Sequence, residues 1–356
     1  MKIGFIGDIH LQVQDPYSNL DSSTGFSIRT LDKFDGIKEA LSISKLEGVD
    51  LFAFLGDIFD KMNPNEKLKS HFYEVLLPYL KYFPIIIIPG NHDGIQVSHS
   101  FLTEQAILNQ LEYKELIIAD EPMIYKDKIL FIPWNNDIEG LTELITENAD
   151  ENLIVLGHLE INGAVTSTEH ITGKGLSPII FSKYRFVGLS HYHKYQKIKK
   201  NIWYIGSPAI KDFSEIGIEK GFGIYDYTKN KLIFHTLEKR SFYEFNINED
   251  TVEEVGEYLE KNTIPEGSVF KLRIKGSKNW LVDNKSTIID VFKEYKPLKI
   301  IPKTEIVKDE TSNIEYIKSH TNRYEKIKEF ANGKPQGYID YGIQIYKRVE
   351  QKFLEM

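Results

Sequence analysis

The chain of 356 residues contains no cysteine. No disulfide can brace the fold, and no thiolate can serve as nucleophile or metal ligand. The absence suits a reducing compartment, so a cytoplasmic location is expected. Long apolar runs are missing too. The longest, Phe83 to Pro89, falls far short of the roughly 20 residues that cross a bilayer, so no membrane segment is expected. Lys2 to Gly7 lead straight into Asp8 and His10, and do not read as a signal peptide. A basic excess is also lacking: 44 Lys and Arg stand against 52 Asp and Glu, a net charge of −8. Proteins that bind DNA alone usually show a basic balance or patch. Any work on DNA is therefore expected to need help from a partner. The local exception is Lys194, Lys197, Lys199 and Lys200. These four are candidate DNA contacts, with a solvated charged face as the plainer alternative.

What the chain has is enough length and core for two domains and an appendage, with 41% apolar residues. Through about residue 240, short apolar runs alternate with helical patterns. Lys2–Gly7, Asp50–Leu55, Pro84–Ile88, Ile129–Ile132, Asn152–Leu156 and Arg185–Gly188 read as strands buried on both faces. Ile28, Leu31, Phe34, Ile37 and Leu41 predict one helix. Leu68, Phe72, Val75, Leu76 and Tyr79 predict another, which Pro78 kinks or ends. Phe101, Leu108 and Leu111 suggest a third. The class is α/β, with chemistry on loops beyond strand ends. From about Ser241 a smaller α+β pattern follows, with strands at Phe242–Ile247, Val269–Ile274 and Leu298–Ile306 and helices near Thr251–Lys261 and Ser286–Tyr295. The expected domains are 1–240, 241–307 and a tail, 308–356, of linker and two amphipathic stretches.

Five segments at strand ends carry metal-ligating side chains. They are Asp8-Ile9-His10, Gly56-Asp57-Ile58-Phe59-Asp60, Gly90-Asn91-His92-Asp93, Gly157-His158 and His191-Tyr192-His193. Asp8 and His10 alternate on an extended run and should point to one side. Gly56 and Gly90 should permit tight turns that aim Asp57 and Asn91 into a crevice. Carboxylate, amide and imidazole ligands suit Mn²⁺, Fe²⁺ or Zn²⁺ rather than a thiolate zinc site. One Asp shared between two ions would hold them close together, and a water bridging the ions would be deprotonated near neutral pH for attack on phosphorus. Each segment alone reads as a turn or a helix cap; all five in this order describe a two-metal phosphoesterase.

These segments resemble the calcineurin-like metallophosphoesterases, whose fold is a β-sandwich with flanking helices. Within them the chain is similar to the SbcD-type DNA repair nucleases, the phage-encoded exonuclease subunits among them. Ile132-Pro133-Trp134, Gly157 to Gly163, Tyr204-Ile205-Gly206-Ser207-Pro208 and Glu219-Lys220-Gly221-Phe222 support the likeness. The resemblance implies that Asp8, His10, Asp57 and His193 hold one ion. Asp57, Asn91, His158 and His191 would hold the other, with Mn²⁺ favoured and Mg²⁺ admissible. It implies that His92 acts at the scissile phosphate and that Asp93 orients it. It further implies a capping domain, an SMC-like coiled-coil ATPase partner docked on the C-terminal helices, and a homodimer formed through helices near 66–81 and 98–111. Two departures stand out: Gln12 and Ser190 occupy positions where the family usually has Gly. Asp60 receives no role.

The activity implied is a Mn²⁺-dependent DNA nuclease, 3′→5′ on duplex ends and endonucleolytic on single strands. A protein phosphatase or cyclic-nucleotide phosphodiesterase is the first alternative. Phosphatases of this superfamily carry Arg-Gly after the second segment and Glu ending the third; here Lys61-Met62 and Asp93 stand there. A non-catalytic binding module is the second alternative, and its sign would be missing ligands.

Overall fold

The computed structural model describes residues 1–94, 113–237 and 240–307. They form two compact units. The first comprises Met1–Glu244, Pro265–Phe270 and Pro297–Lys299. The second comprises Phe245–Ile264, Lys271–Lys296 and, of the described residues, 300–307.

Two six-stranded sheets make the first unit. In one, β1 (Lys2–Ile6), β2 (Leu51–Leu55), β3 (Ile85–Ile88) and β4 (Leu116–Ile118) run parallel. Strands β11 (Gly221–Asp226) and β12 (Lys231–Thr236) continue it antiparallel beyond β1. The other sheet holds β5 (Met123–Tyr125), β6 (Ile129–Ile132), β7 (Ile154–His158), β8 (Phe186–Ser190), β9 (Gln196–Lys199) and β10 (Ile202–Tyr204), in the order β5-β6-β7-β8-β10-β9. Strands β6, β7, β8 and β10 are parallel.

Side chains alternate across each strand, so each sheet has two faces to cover. Ile3, Phe5, Leu51, Ala53, Leu55, Ile86 and Ile88 of the first sheet meet Ile129, Phe131, Ile154 and Leu156 of the second. The outer face of the first sheet, with Phe52, Phe54, Ile85 and Ile87, lies under α1 (Ile28–Glu47) and α2 (Glu66–Leu76). The outer face of the second, with Leu130, Ile132, Val155 and Val187, lies under α3 (Ile138–Glu147). This is the α/β sandwich with flanking helices that the resemblance implied.

Local chemistry sets the helix ends. Ser27 caps α1 by accepting from the Thr30 amide, and Gly48, at φ 64°, ends it in the left-handed conformation. Helix α2 stops at Leu76, before a 3₁₀ turn over Leu77–Tyr79 that contains Pro78. The apolar stripe of α2 is spent on its own sheet, since Leu68, Phe72, Val75 and Leu76 are all buried. The third predicted helix, at Phe101, Leu108 and Leu111, lies outside the described residues, as does the tail 308–356.

The remaining sheet has three strands in sequence order, β13 (Phe242–Ile247), β14 (Val269–Gly276) and β15 (Lys299–Ile306). In the second unit, α4 (Val252–Lys261) and α5 (Lys278–Lys293) accompany it. Helix α5 begins earlier than the expected Ser286. Ser277 caps it by accepting from the Trp280 amide, and Leu281, Ile288 and Phe292 share its buried face. Among the described residues no helix is long and apolar enough to cross a membrane.

One buried side chain ties β10 to the loop that follows β7. The Tyr204 hydroxyl donates to the Leu159 carbonyl at 2.7 Å and accepts from the Ile161 amide at 2.9 Å. Tyr204→Phe leaves both groups unpaired in the core and should cost about 1–3 kcal/mol. Urea unfolding measures this, and an unchanged midpoint would contradict the tie.

Candidate metal centre

Strand polarity assembles the site. The C-terminal ends of β1, β2 and β3 bring the loops with Asp8 and His10, Asp57, and Asn91 and His92. The same ends of β7 and β8 bring His158, and His191 with His193. The structure thus gathers all seven expected ligands and His92 at one end of the sandwich.

The loops after β1 and β2 are zipped together. Asp8, His10 and Leu11 donate from their amides to Gly56, Asp57 and Ile58. Asp8 and His10 are not extended as alternation had predicted. Their φ values are 52° and 50°, Asp57 lies at 49° and His191 at 112°, all in the left-handed half of backbone space. Such residues cost roughly 1–3 kcal/mol each and persist where the surroundings over-determine them. The two glycines act differently. Gly56, at φ 83°, supplies the turn. Gly90 supplies closeness, because a Cβ there would collide with the carboxylate and amide of Asp57.

Two sets of donor atoms converge. In the first, Nδ1 of His158 faces the Leu55 carbonyl at 2.9 Å, which can only accept, so Nε2 carries the lone pair. That Nε2 lies 3.0 Å from Asn91 Oδ1 and 3.3 Å from His191 Nδ1. Asn91 Oδ1 is 3.1 Å from the same His191 nitrogen. These three atoms have at most one proton, on His191, to share; a cation satisfies all three.

In the second set, Nδ1 of His193 donates to Glu215 Oε1 at 2.6 Å, leaving a lone pair on Nε2. It faces His10 Nε2 at 3.0 Å. His10 Nδ1 is buried without a hydrogen-bond partner and sits 3.4 Å from the Asp60 carboxylate. If the His10 proton is on Nδ1, two lone pairs oppose each other at Nε2. If it is on Nε2, a lone pair faces Asp60. A cation beside Nε2 resolves the conflict, so the residues fit the divalent metal that this chemistry requires.

Asp57 stands between the sets. Its Oδ1 is 3.6 Å from His158 Nε2, and its Oδ2 is 3.7 Å from His10 Nε2. Asp8 is buried and accepts the His191 amide. Burial, then the nearby His193, pushes the His10 imidazole well below its ordinary pKa. Burial, then His158 and His193, pushes His191 down to about 3. Both imidazoles are held neutral, the form that binds metal. Burial raises Asp8. Burial also works against the Asp57 carboxylate, yet His158 and His10 outweigh it and lower its pKa.

Asp93 does not orient His92. Its fully buried carboxylate accepts from the amides of Ile58, Phe59 and Gly90, bracing the β2 loop against the β3 loop. Burial, then the nearby Asp57, raises it to about 7. The His92 ring instead places Nδ1 3.0 Å from the Asp60 carbonyl, while its amide donates to Asp57 Oδ1 at 2.9 Å. Although adjacent in the turn at 91–93, the two side chains bond different groups, Asp93 the three amides and His92 the Asp60 carbonyl.

Several site residues were given no role by the sequence. Glu215 binds His193 and is bridged by Lys220 Nζ at 2.8 Å. Burial opposes the Glu215 carboxylate, but the His193 bond and the Lys220 charge hold it at about 2. Lys33 is buried and donates to the His10 carbonyl at 2.8 Å, with Asp15 pairing both it and Arg29. Trp134 stacks on His191, ring centroids 4.9 Å apart. Trp134 and Lys220 lie in segments that supported the likeness, and Lys33 stands as a charge inside an apolar helical pattern; Glu215, Asp15 and Arg29 had no such signal. Ser190, the departure from the family pattern, fits because Gly7 faces it without a side chain; its Oγ lies 3.2 Å from His158 Nδ1. Of the candidate DNA contacts, Lys194 pairs with Glu169, Lys197 lies opposite Trp203 near the start of β9, and Lys199 and Lys200 lie at the turn into β10.

The sequence matches the family model for calcineurin-like phosphoesterases over residues 1–216, and the chain belongs to that family. It is a metal-dependent phosphodiesterase, a hydrolase of ester bonds. Within the family it is similar to nuclease subunits. It is 27% identical to Exonuclease subunit 1 of Enterobacteria phage T4 over 259 residues, 69% of this chain and 71% of that protein. It is 24% identical to the SbcD component of the SbcCD nuclease of Staphylococcus epidermidis (strain ATCC 12228 / FDA PCI 1200) over 308 residues, 76% of this chain and 79% of that one. The same component from Bacillus subtilis (strain 168) is 25% identical over 239 residues, 56% of this chain and 61% of that one.

Glu215→Gln keeps the shape but weakens the anchor of His193. Partners of this kind typically govern 10–100-fold in metal affinity. Calorimetric titration with Mn²⁺ should show a loss of about that size; wild-type affinity would remove Glu215 from the metal site.

Proposed function

We propose that the chain is the nuclease subunit of a DNA-end-processing complex. It would remove nucleotides 3′→5′ from duplex ends and cut single strands, by two-ion hydrolysis. The observation that supports this most is the pair of convergent donor sets with one Asp57 oxygen toward each. In this reading Asp8, His10, Asp57 and His193 hold one ion. Asp57, Asn91, His158 and His191 hold the other. The nitrogen and oxygen donors suit Mn²⁺, Fe²⁺ or Zn²⁺, and the family resemblance favours Mn²⁺, with Mg²⁺ admissible. Bound ions of this kind supply a nucleophilic water at neutral pH and offset charge on the phosphate.

The protein's own groups do the rest. His92, 36% exposed, is anchored through Nδ1 on the Asp60 carbonyl. With Nδ1–H on that carbonyl, Nε2, 4.0 Å from Asp57 Oδ2, can give a proton to the leaving oxygen from the imidazolium form of the ring. Asp93 acts by fixing the loop that carries His92 and Asn91. Glu215 and the Leu55 carbonyl hold His193 and His158 in the tautomers that present Nε2.

DNA as substrate rests on the similarity to proteins named as exonuclease and nuclease subunits. The word subunit in those names supports a partner protein; an SMC-like ATPase docked through residues 308–356, a homodimer and a cytoplasmic location are proposed with it from the family resemblance alone. Both the tail and 98–111, half of the suggested dimer contact, lie outside the described residues. Residues 1–240 are assigned to catalysis and 241–307 to a capping role. Nothing specific favours a phosphatase.

His92→Asn should keep its Mn²⁺ affinity while turnover of an oligonucleotide falls by about 10²–10⁴. Joint loss of metal and activity would make His92 a ligand. Mn²⁺-dependent release of phosphate from a phosphopeptide, with no cleavage of DNA, would overturn the nuclease reading.

A further inference from the structure

We propose that the first unit carries a second nucleic-acid contact, a basic cleft remote from the metal loops that takes a phosphodiester backbone. The inference rests on the DNA reading above and names a surface for it. The cleft has a volume of about 890 Å³. Arg185 lines it just before β8, Lys197 and Lys199 on β9, Lys200 at the β9–β10 turn and Lys231 at the start of β12. No Asp or Glu lines it.

Strand register fixes its position. Lys199 lies opposite Ile202, and Ile202 opposite Val187, the second residue of β8. The metal-binding candidates His191 and His193 follow the last residue of that strand. At about 3.3 Å per residue, roughly the length of β8 separates the two places.

Several other cations of the unit are neutralised: Arg29 and Lys33 by Asp15, Lys194 by Glu169, Lys220 by Glu215, Arg240 by Asp32. Among the described residues, none of the five cleft cations has a carboxylate partner. Gathering like charges costs stability, and an acidic protein of net charge −8 had carboxylates to spare. Arg185 shows the same incompleteness in one residue. Its Nη2 donates to the Tyr227 carbonyl at 3.1 Å, while its Nε is buried without a hydrogen-bond partner.

The chemistry selects phosphate over bases. Trp203 is the aromatic ring best placed to stack a base, but it already stacks on Tyr195 at 5.6 Å and carries Lys197 Nζ 4.9 Å from its centroid. Tyr184 and Tyr225 are buried. What the cleft offers a ligand is a row of cations, which reads backbone charge without regard to sequence.

The test uses the full chain, a fluorescent single-stranded oligonucleotide and EDTA to prevent cleavage, with anisotropy followed over a salt series. The variant Lys197→Gln/Lys199→Gln/Lys200→Gln/Lys231→Gln should bind on the order of tenfold more weakly. Its salt slope should fall by about 3, because each lost contact to single-stranded phosphate removes about 0.7. Its turnover of bis(p-nitrophenyl) phosphate with Mn²⁺ should match wild type. The equal charge change Lys38→Gln/Lys45→Gln/Lys67→Gln/Lys81→Gln, on and around α1 and α2, should leave binding nearly intact. Unchanged affinity and slope in the cleft variant, or an equal loss in the control, would overturn the cleft while leaving the nuclease reading in place. Displacement of the DNA by a glutamate oligomer of equal charge would assign the cleft to an acidic peptide and also overturn it. Wild-type protein that binds DNA through the cleft yet never cuts it would instead remove the nuclease reading and keep the cleft.

Discussion

The carboxylate of Asp57 is the constraint on which the rest of the site depends. One oxygen faces the nitrogen of His158 and the other faces that of His10, so a single side chain addresses both donor sets. Each of those sets draws residues from both sheets. For the carboxylate to reach both, the ends of β1, β2 and β3 must approach the ends of β7 and β8 closely. The packing of Phe5, Leu55 and Ile88 against Phe131 and Leu156 provides that approach. Metal geometry and core packing are therefore one problem here, solved at one end of the sandwich.

The closeness has visible consequences in the loops. Gly90 has no room for a side chain beside Asp57, and Gly7 has none beside Ser190. Asp8, His10, Asp57 and His191 adopt backbone angles that side chains ordinarily avoid. Polar contacts hold them there: the Asp93 carboxylate on three amides, the Lys33 ammonium on the His10 carbonyl, and the amide of His191 on Asp8. The arrangement is pre-organised by protein groups and left with repulsions among lone pairs, as at His10 and His193. Cation binding would relieve that electrostatic strain directly.

Much of this was legible in the residues. Buried strands announced themselves as uniform apolar runs, as in Ile85 to Ile88, and ligands followed them within a few positions. Helix α1 was readable from its spacing, and Pro78 marked the end of α2. Other features were not legible, for physical reasons. Local alternation could not reveal the left-handed turns at Asp8 and His10, which arise from the zipper with the β2 loop. The partner expected for His92 was its sequence neighbour, but its ring meets the Asp60 carbonyl from the loop after β2. Nothing local marks Glu215 or Arg185, because only tertiary structure brings the first to His193 and leaves the second without a carboxylate. The short strands β9 and β10 carry too few residues for a periodic signal.

Function follows from this division of labour. The parallel strand ends concentrate ligands, the surrounding carboxylates and carbonyls set imidazole tautomers, and His92 keeps an accessible nitrogen beside the centre. A shared Asp57 makes the two donor sets inseparable, and that is the central claim. Its most direct measurement is the number of Mn²⁺ ions bound per chain at saturation, read by elemental analysis after dialysis, for wild type and Asp57→Ala. The account predicts two ions in the wild type and weakening of both sites in the variant, because a bridging ligand is lost from each. One ion or none in the wild type, or a variant that loses a single ion while the other binds as before, would contradict it.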